Sequence, residues 1–199
     1  MKFTDIKSVK LSEFNNKSIT LSSQEDGYPL KFQIPRMYMP FGVNGFVPPH
    51  GSTRWNIDFA MKGYEEEGNY VKKFYNFVKN LEEQIISHVE IRSNEIFGRS
   101  LSKDELTKMF NSNIKESLSE YEPKFRVKID DKANVFDTTD TECTPNPLYE
   151  GAFRQHSGVV LVELGNVYFI NKMFGVTWKV SQMKIYEPQR LKGFMFKDV

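Results

Sequence analysis

The sequence predicts a mainly β protein with a helical insertion, an α+β chain built on an OB-fold Greek-key β-barrel with a long helix between two groups of strands. Three observations predict it. Several short runs alternate apolar and polar residues with the two-residue period of strands. One long central stretch switches to the 3.6-residue period of a helix. No strand–helix–strand unit repeats, which argues against a doubly wound parallel sheet. Two packed sheets forming a sandwich are the alternative arrangement.

The elements follow in order. Phe3 to Val9 and Ser18 to Leu21 are short alternating runs, and Leu30 to Met39 is a longer one in which Phe32 and Ile34 alternate with Lys31 and Gln33. Pro35 cannot donate to a ladder, so this strand is expected at an edge or with a bulge at that point. Gly42, Gly45, Pro48, Pro49 and Gly51 predict a turn or exposed loop. Arg54 to Lys62 then puts Trp55, Ile57, Phe59 and Met61 on one face and Arg54, Asn56, Asp58, Ala60 and Lys62 on the other. From Asn69, a candidate N-cap, Tyr70, Phe74, Phe77, Val78, Leu81, Ile85 and Val89 fall at helical spacings. Ser102-Lys103-Asp104-Glu105 reads as a capping box opening a second, short helix. Strands resume at Lys124 to Asp130. Residues 131–156 read as a long mobile loop. Val159 to Leu164, Val167 to Ile170 and Val176 to Tyr186 close the fold, with Gly165-Asn166 and Gly175 as turns. One domain therefore spans 1–187, with a helical insertion at about 64–122, and 188–199 form a C-terminal tail.

With 39% hydrophobic and 14% aromatic residues the chain is too rich in core-forming side chains to be disordered. It has no run of roughly 18 uncharged apolar residues and no apolar segment behind Met1, so neither a membrane span nor a secretory leader is expected. A single cysteine, Cys143, fits a reducing compartment. The phosphate-loop, dinucleotide, nucleophile-elbow and zincin motifs are absent. His50, His88 and His156 stand far apart, and Cys143 has no neighbouring ligand. No cofactor, metal or catalytic residue is therefore assigned. Asp130, Asp131, Asp137, Asp140 and Glu142 could hold Mg²⁺ for a nuclease, but they lie in a polar loop without rigid support.

The formal charge of +1 conceals an uneven distribution. Residues 1–62, 124–128 and 157–199 each carry a net +3, and 63–123 and 129–156 each carry a net −4. The positive charge thus falls on predicted strands. Within those strands cations stand beside rings: Arg36 and Tyr38, Arg54 and Trp55, Lys172 and Phe174, Trp178 and Lys179. Single-stranded nucleic acid is bound by this combination, since rings stack on bases and cations neutralise phosphates. Trp55 and Trp178 also alternate with core positions, so packing competes with stacking for both. Lys62, Arg126 and Lys128, with Arg54, are turned by strand alternation away from the apolar face.

The order of Pro35-Arg36-Met37-Tyr38-Met39-Pro40-Phe41-Gly42-Val43, Trp55-Asn56-Ile57-Asp58-Phe59, the helix after Asn69, Phe125-Arg126-Val127-Lys128-Ile129 and Phe174 to Lys184 resembles the phage-type single-stranded DNA-binding proteins of nucleocytoplasmic large DNA viruses, over about residues 28–187. The resemblance implies an OB fold, non-enzymatic coating of single strands exposed in viral replication, recombination or repair, partnership with viral replication proteins, and a place in the host cytoplasm or nucleus. A viral structural or assembly protein that kept the barrel for protein contacts is the alternative. Phage relatives end in an acidic tail that recruits replication enzymes. Here Arg190, Lys192 and Lys197 meet only Asp198, so the resemblance does not extend to tail-mediated recruitment.

Overall fold

The computed structural model describes residues 9–117 and 120–188. The elements are β1 (Val9–Leu11), β2 (Ser18–Ile19), β3 (Leu21–Ser23), β4 (Lys31–Met39), β5 (Val43–Phe46), β6 (Arg54–Ala60), α1 (Tyr70–Ile91), α2 (Ser93–Phe97), α3 (Lys103–Met109), β7 (Ile114–Lys115), β8 (Lys124–Ile129), β9 (Asn134–Phe136), β10 (His156–Ile170) and β11 (Met173–Tyr186). The expected strand at 3–9 and the Gly193-Phe194-Met195-Phe196 segment of the tail lie outside the described residues, apart from Val9.

Five strands close a ring in the order β4, β6, β8, β11, β10 and back to β4. In chain order that is first, second, third, fifth, fourth, a Greek-key barrel of the OB type. Neighbours are antiparallel except β8 and β11, which run parallel and share one Cα pair, Lys128 with Lys179. The β4–β6 seam is equally thin, with only Tyr38 opposite Ala60. The barrel is thus partly open at two seams and firmly laddered along β6–β8 and β10–β11. One sheet curls onto itself, which distinguishes it from a sandwich.

The inward faces follow from alternation. Phe32, Ile34, Ile57, Phe59, Phe125, Val127, Val160, Val162, Trp178 and Val180 are buried inside the barrel. Helix α1 closes the core with its apolar stripe. Phe77 meets Phe32 at 5.2 Å between ring centroids, and Phe74 meets Phe125 at 4.9 Å, both edge-on, the geometry that ring quadrupoles favour. Asn69 caps this helix, its side chain accepting from the Val71 N–H, and the Ser102/Glu105 capping box opens α3.

Pro35 and Arg36 stand together opposite Val159, the bulge expected at Pro35, which tolerates the missing N–H of proline. Other local expectations are corrected. Residues 43–46, expected as loop, form β5 and pair with β6. Gly42 bends the entry to β5 at φ +69°, and a Cβ there would sit 2.3 Å from the Ala152 carbonyl oxygen. The glycines near the end of the chain do not make turns. Gly165-Asn166 is a bulge inside β10, and Gly175 lies within β11. The turn is at Asn171-Lys172, where both residues adopt positive φ as a tight right-twisting hairpin requires. Residues 131–156 contain β9 and bury Ala133, Val135, Leu148 and Ala152.

Candidate nucleic-acid interface

Strand register determines which side chains share the outer face of β6 and β8. Arg54, Asn56, Asp58 and Ala60 point outward from β6, and Lys124, Arg126 and Lys128 from β8, with Asn56 opposite Lys128, Asp58 opposite Arg126 and Ala60 opposite Lys124. On the other flank of β6, Asn44 and Phe46 of β5 stand opposite Asn56 and Arg54. Tyr38 of β4 stands opposite Ala60. Cations and rings therefore alternate across one surface. Phe46 is 57% exposed and Tyr38 42%, enough for a flat ligand to lie on either ring.

The cations of this surface differ in how their charge is used. Arg126 donates from Nε and Nη2 to the two carboxylate oxygens of Asp58, at 2.7 and 2.8 Å. Asp58 is buried beneath it, so this fork neutralises one positive charge at the centre of the face. Among the described residues Lys128 has no carboxylate partner. Its Nζ donates to the Thr177 hydroxyl at 3.4 Å and sits 5.9 Å from the centre of the Tyr168 ring. Burial pushes its pKa below the ordinary lysine value, and the charge of Arg54 adds to that. Lys115, on β7 opposite Lys124, donates to Asn111 Oδ1 at 2.8 Å and to the Ser112 carbonyl. Its pKa is likewise lowered, by burial first and then by Arg126. Lys124 stands over the Phe41 ring at 5.0 Å. Arg54 forms no ion pair among the described residues. A groove runs through the face, lined by the polar Asn56, Lys115, Arg126, Lys128, Tyr168 and Thr177 and by the apolar Val176 and Trp178, among others.

One wall of the groove is held from behind. Glu82 of α1 is buried, accepts from the Ser112 hydroxyl at 2.8 and 2.9 Å, and accepts from the Asn113 N–H at 3.0 Å. Burial raises its pKa despite these bonds. The carboxylate thereby fixes the turn that carries Asn111 to Lys115.

The expected site residues separate into three groups. Tyr38, Arg54, Arg126 and Lys128 share the face, and Lys62 is exposed just beyond Ala60 at its end. Lys172 is exposed at the tip of the β10–β11 hairpin, and Lys179 lies beside Lys128 but pairs with Asp130 at 2.7 Å. Arg36 leans across β10 to stack over Tyr186 at 3.9 Å, away from β6. Phe174 and Trp178 are corrected: they are 0% and 1% exposed. Phe174 packs against Phe110 and Phe169, and Trp178 against Phe32, Phe74 and Phe125, because alternation along β11 turns both inward. Neither ring face can receive a base. Trp55 is half-buried on the inner side beneath Gly45, where a Cβ would meet its ring at 2.6 Å. Sequence reasoning missed Phe46, Lys115, Lys124, Asn56 and Tyr168. For Phe46 the signal was present, as a lone large ring two residues before a Pro-Pro pair in a stretch taken for loop.

Residues 65–198, more than half of the chain, match the model of a family of unknown function, DUF5871. No curated protein matches. Among solved structures the chain is similar to gp2.5, a single-stranded DNA-binding protein encoded by bacteriophage T7, at 11% identity and a TM-score of 0.52, covering 83% of this chain and 91% of that one. The single-stranded DNA-binding protein of bacteriophage Enc34 aligns at 11% identity and a TM-score of 0.42, over 96% of each chain. Its complex with single-stranded DNA aligns at 10% and 0.45, over 94% of this chain and 99% of that one. At such identity the likeness to gp2.5 is one of fold.

Proposed function

The chain belongs to the family of unknown function DUF5871, and since that membership brings no activity with it, we propose from the site itself a sequence-tolerant single-stranded DNA-binding protein. One observation carries the proposal. The outer face of β6 and β8 combines the exposed rings of Tyr38 and Phe46 with the cations Arg54, Lys115, Lys124 and Lys128, none of which is neutralised by a carboxylate among the described residues. The strand 2–3 face and its flanking loops are where OB folds hold oligonucleotides. The gp2.5 fold, from a protein that binds single-stranded DNA, supports the same reading. Exposed rings stack on unpaired bases whatever their identity, whereas a duplex hides those faces. The role is binding without bond chemistry: coating single strands opened in replication, recombination or repair. The sequence resemblance to viral proteins supports a viral setting, in the cytoplasm or nucleus of the host, with replication proteins as further partners.

Fluorescence anisotropy with labelled oligo-dT and a matched duplex, at two salt concentrations, tests this. Tighter, salt-sensitive binding to the single strand is expected. Equal affinity for both nucleic acids, or binding to neither, removes the proposal.

Protein docking is the second reading, favoured by the exposed Phe41, Val47 and Tyr149 near β5. The double variant Arg54→Glu with Lys128→Glu separates the two, and it leaves the buried Asp58–Arg126 pair intact. Loss of oligo-dT binding in a folded variant supports the first. Absence of DNA affinity in the parent protein, with this face protected from hydrogen exchange by a purified replication protein, supports the second.

A further inference from the structure

The groove between β8, β11 and the 111–115 turn differs in chemistry from the aromatic part of the face. Beside apolar surface from Val176 and Trp178, its walls bring amides, a hydroxyl and cations together: Asn56, Asn113, Thr177, Lys115, Arg126 and Lys128. Of the two rings that line it, Trp178 is only 1% exposed, and Tyr168 is already engaged, with its hydroxyl accepting from Asn111 Nδ2 at 2.9 Å and Lys128 over its face. No ring face is left there to stack on a base. The volume open to water centres is about 90 Å³. On that measure a single water needs roughly 10–15 Å³, so the groove has room for a compact group and its waters.

The cations are held in place by neutral atoms. Lys115 is tied by Asn111 Oδ1 and the Ser112 carbonyl, and Lys128 by Thr177. The nearby carboxylates are committed elsewhere, Asp58 to Arg126 and Glu82 to Ser112 and Asn113. Among the described residues, two lysines thus stay close to one guanidinium with no carboxylate compensating their charges. That arrangement costs free energy in the empty groove and is relieved by an anion.

We propose that this groove is a seat for one phosphate group, gripped by Lys115 and Lys128, with Arg126 as the third cation at the seat. The proposal deepens the single-strand reading, on which it rests for the source of that phosphate: a backbone phosphate anchors the strand here while neighbouring bases reach Tyr38 and Phe46. Burial lowers the pKa of both lysines, and a neighbouring guanidinium adds to it, that of Arg126 at Lys115 and that of Arg54 at Lys128.

The test uses the full chain and small probes. Amide NMR spectra are recorded during titration with sodium phosphate, against sodium chloride at matched ionic strength, and then with thymidine 5′-monophosphate against thymidine. Saturable shifts at Asn56, Ser112 and Thr177 with the two phosphates, and not with chloride or thymidine, are expected. Lys115→Met with Lys128→Met should abolish them, and Lys128→Gln alone should weaken them at least fivefold. Equal responses to thymidine and its monophosphate, or unchanged phosphate binding in both folded variants, overturn the seat. The two readings fail separately. Phosphate bound here without any oligo-dT affinity keeps the seat and removes single-strand binding. Oligo-dT affinity indifferent to both lysine variants removes the seat and keeps the function.

Discussion

At the scale of single residues, exposure decides which ring does what. Phe46 and Trp178 are both large aromatics in strands, but one stands on the outer face and the other lies among Phe32, Phe74 and Phe125. Phe46→Ala is expected to leave thermal stability unchanged and weaken oligo-dT binding roughly five- to 150-fold, the equivalent of about 1–3 kcal/mol for one stacked base. Trp178→Ala is expected to lose about 3–5 kcal/mol of stability in a denaturant titration, and Trp178→Phe to bind normally. A strong affinity loss in a stable Trp178→Phe would contradict the core assignment. The cations carry a pH signature. Lys115 and Lys128 titrate below the ordinary lysine value, so affinity should begin to fall at a lower alkaline pH than ordinary lysines would dictate. Binding should be accompanied by proton uptake in that window, and calorimetry in buffers of different ionisation enthalpy measures it. For folding alone the sign is opposite. The native state holds fewer protons than the unfolded chain between the two pKa values, so this contribution to stability rises with pH there.

At the scale of elements, α1 does two jobs, and only one of them was legible in the sequence. Its apolar spacing, the Asn69 cap and its place between strand groups could all be read directly, because a 3.6-residue period and a cap are local signals. The role of Glu82 could not be, since in the helical pattern it is one of several acidic residues, and its partners Ser112 and Asn113 lie some thirty positions on. The same distinction explains β5, β9 and the hairpin tip. Their pairing is imposed by partners distant in the chain, while glycine and proline in the sequence point to turns. On the face, alternation was enough to send Arg54, Arg126 and Lys128 outward, but not to reveal that Asp58 claims Arg126. Phe174 and Trp178 were misjudged because a cation beside a ring looks the same whether the ring points in or out. Glu82→Ala strands the Ser112 hydroxyl and the Asn113 N–H, and is expected to cost about 1–3 kcal/mol in chemical denaturation. With its folded pKa raised by burial, Glu82 contributes stability at acid pH that is lost as pH rises through that pKa. Glu82→Gln should flatten the stability profile above the ordinary carboxylate range. An unchanged slope would show that Glu82 does not titrate there.

At the scale of the whole molecule, a formal charge of +1 is compatible with binding a polyanion because the charges are sorted by position and by partner. The strands are positive as expected, but much of that charge is used internally. Lys31 pairs with Glu163, Arg126 with Asp58, Lys179 with Asp130 and Lys184 with Asp140. Among the described residues Arg54, Lys115, Lys124 and Lys128 remain uncompensated on the β6–β8 face, and these are the groups able to release counterions from a bound strand. Four such contacts at roughly 0.7 ions each on single strands predict a slope near −3 for log affinity against log salt. Replacing Lys128 with Gln should make the slope shallower by about 0.7, and replacing Lys124 should do the same. Replacing Lys184 should leave it within error, because its charge is spent on Asp140, farther along β11 where that strand pairs with β9. The comparison between variants is more telling than the absolute value. If Lys184→Gln and Lys128→Gln lower the slope equally, binding follows overall charge and the β6–β8 face has no special part in it. If only the face variants change it, the strand lies where the uncompensated cations are, and the near-neutral total is the sum of a binding surface and a set of internal ion pairs.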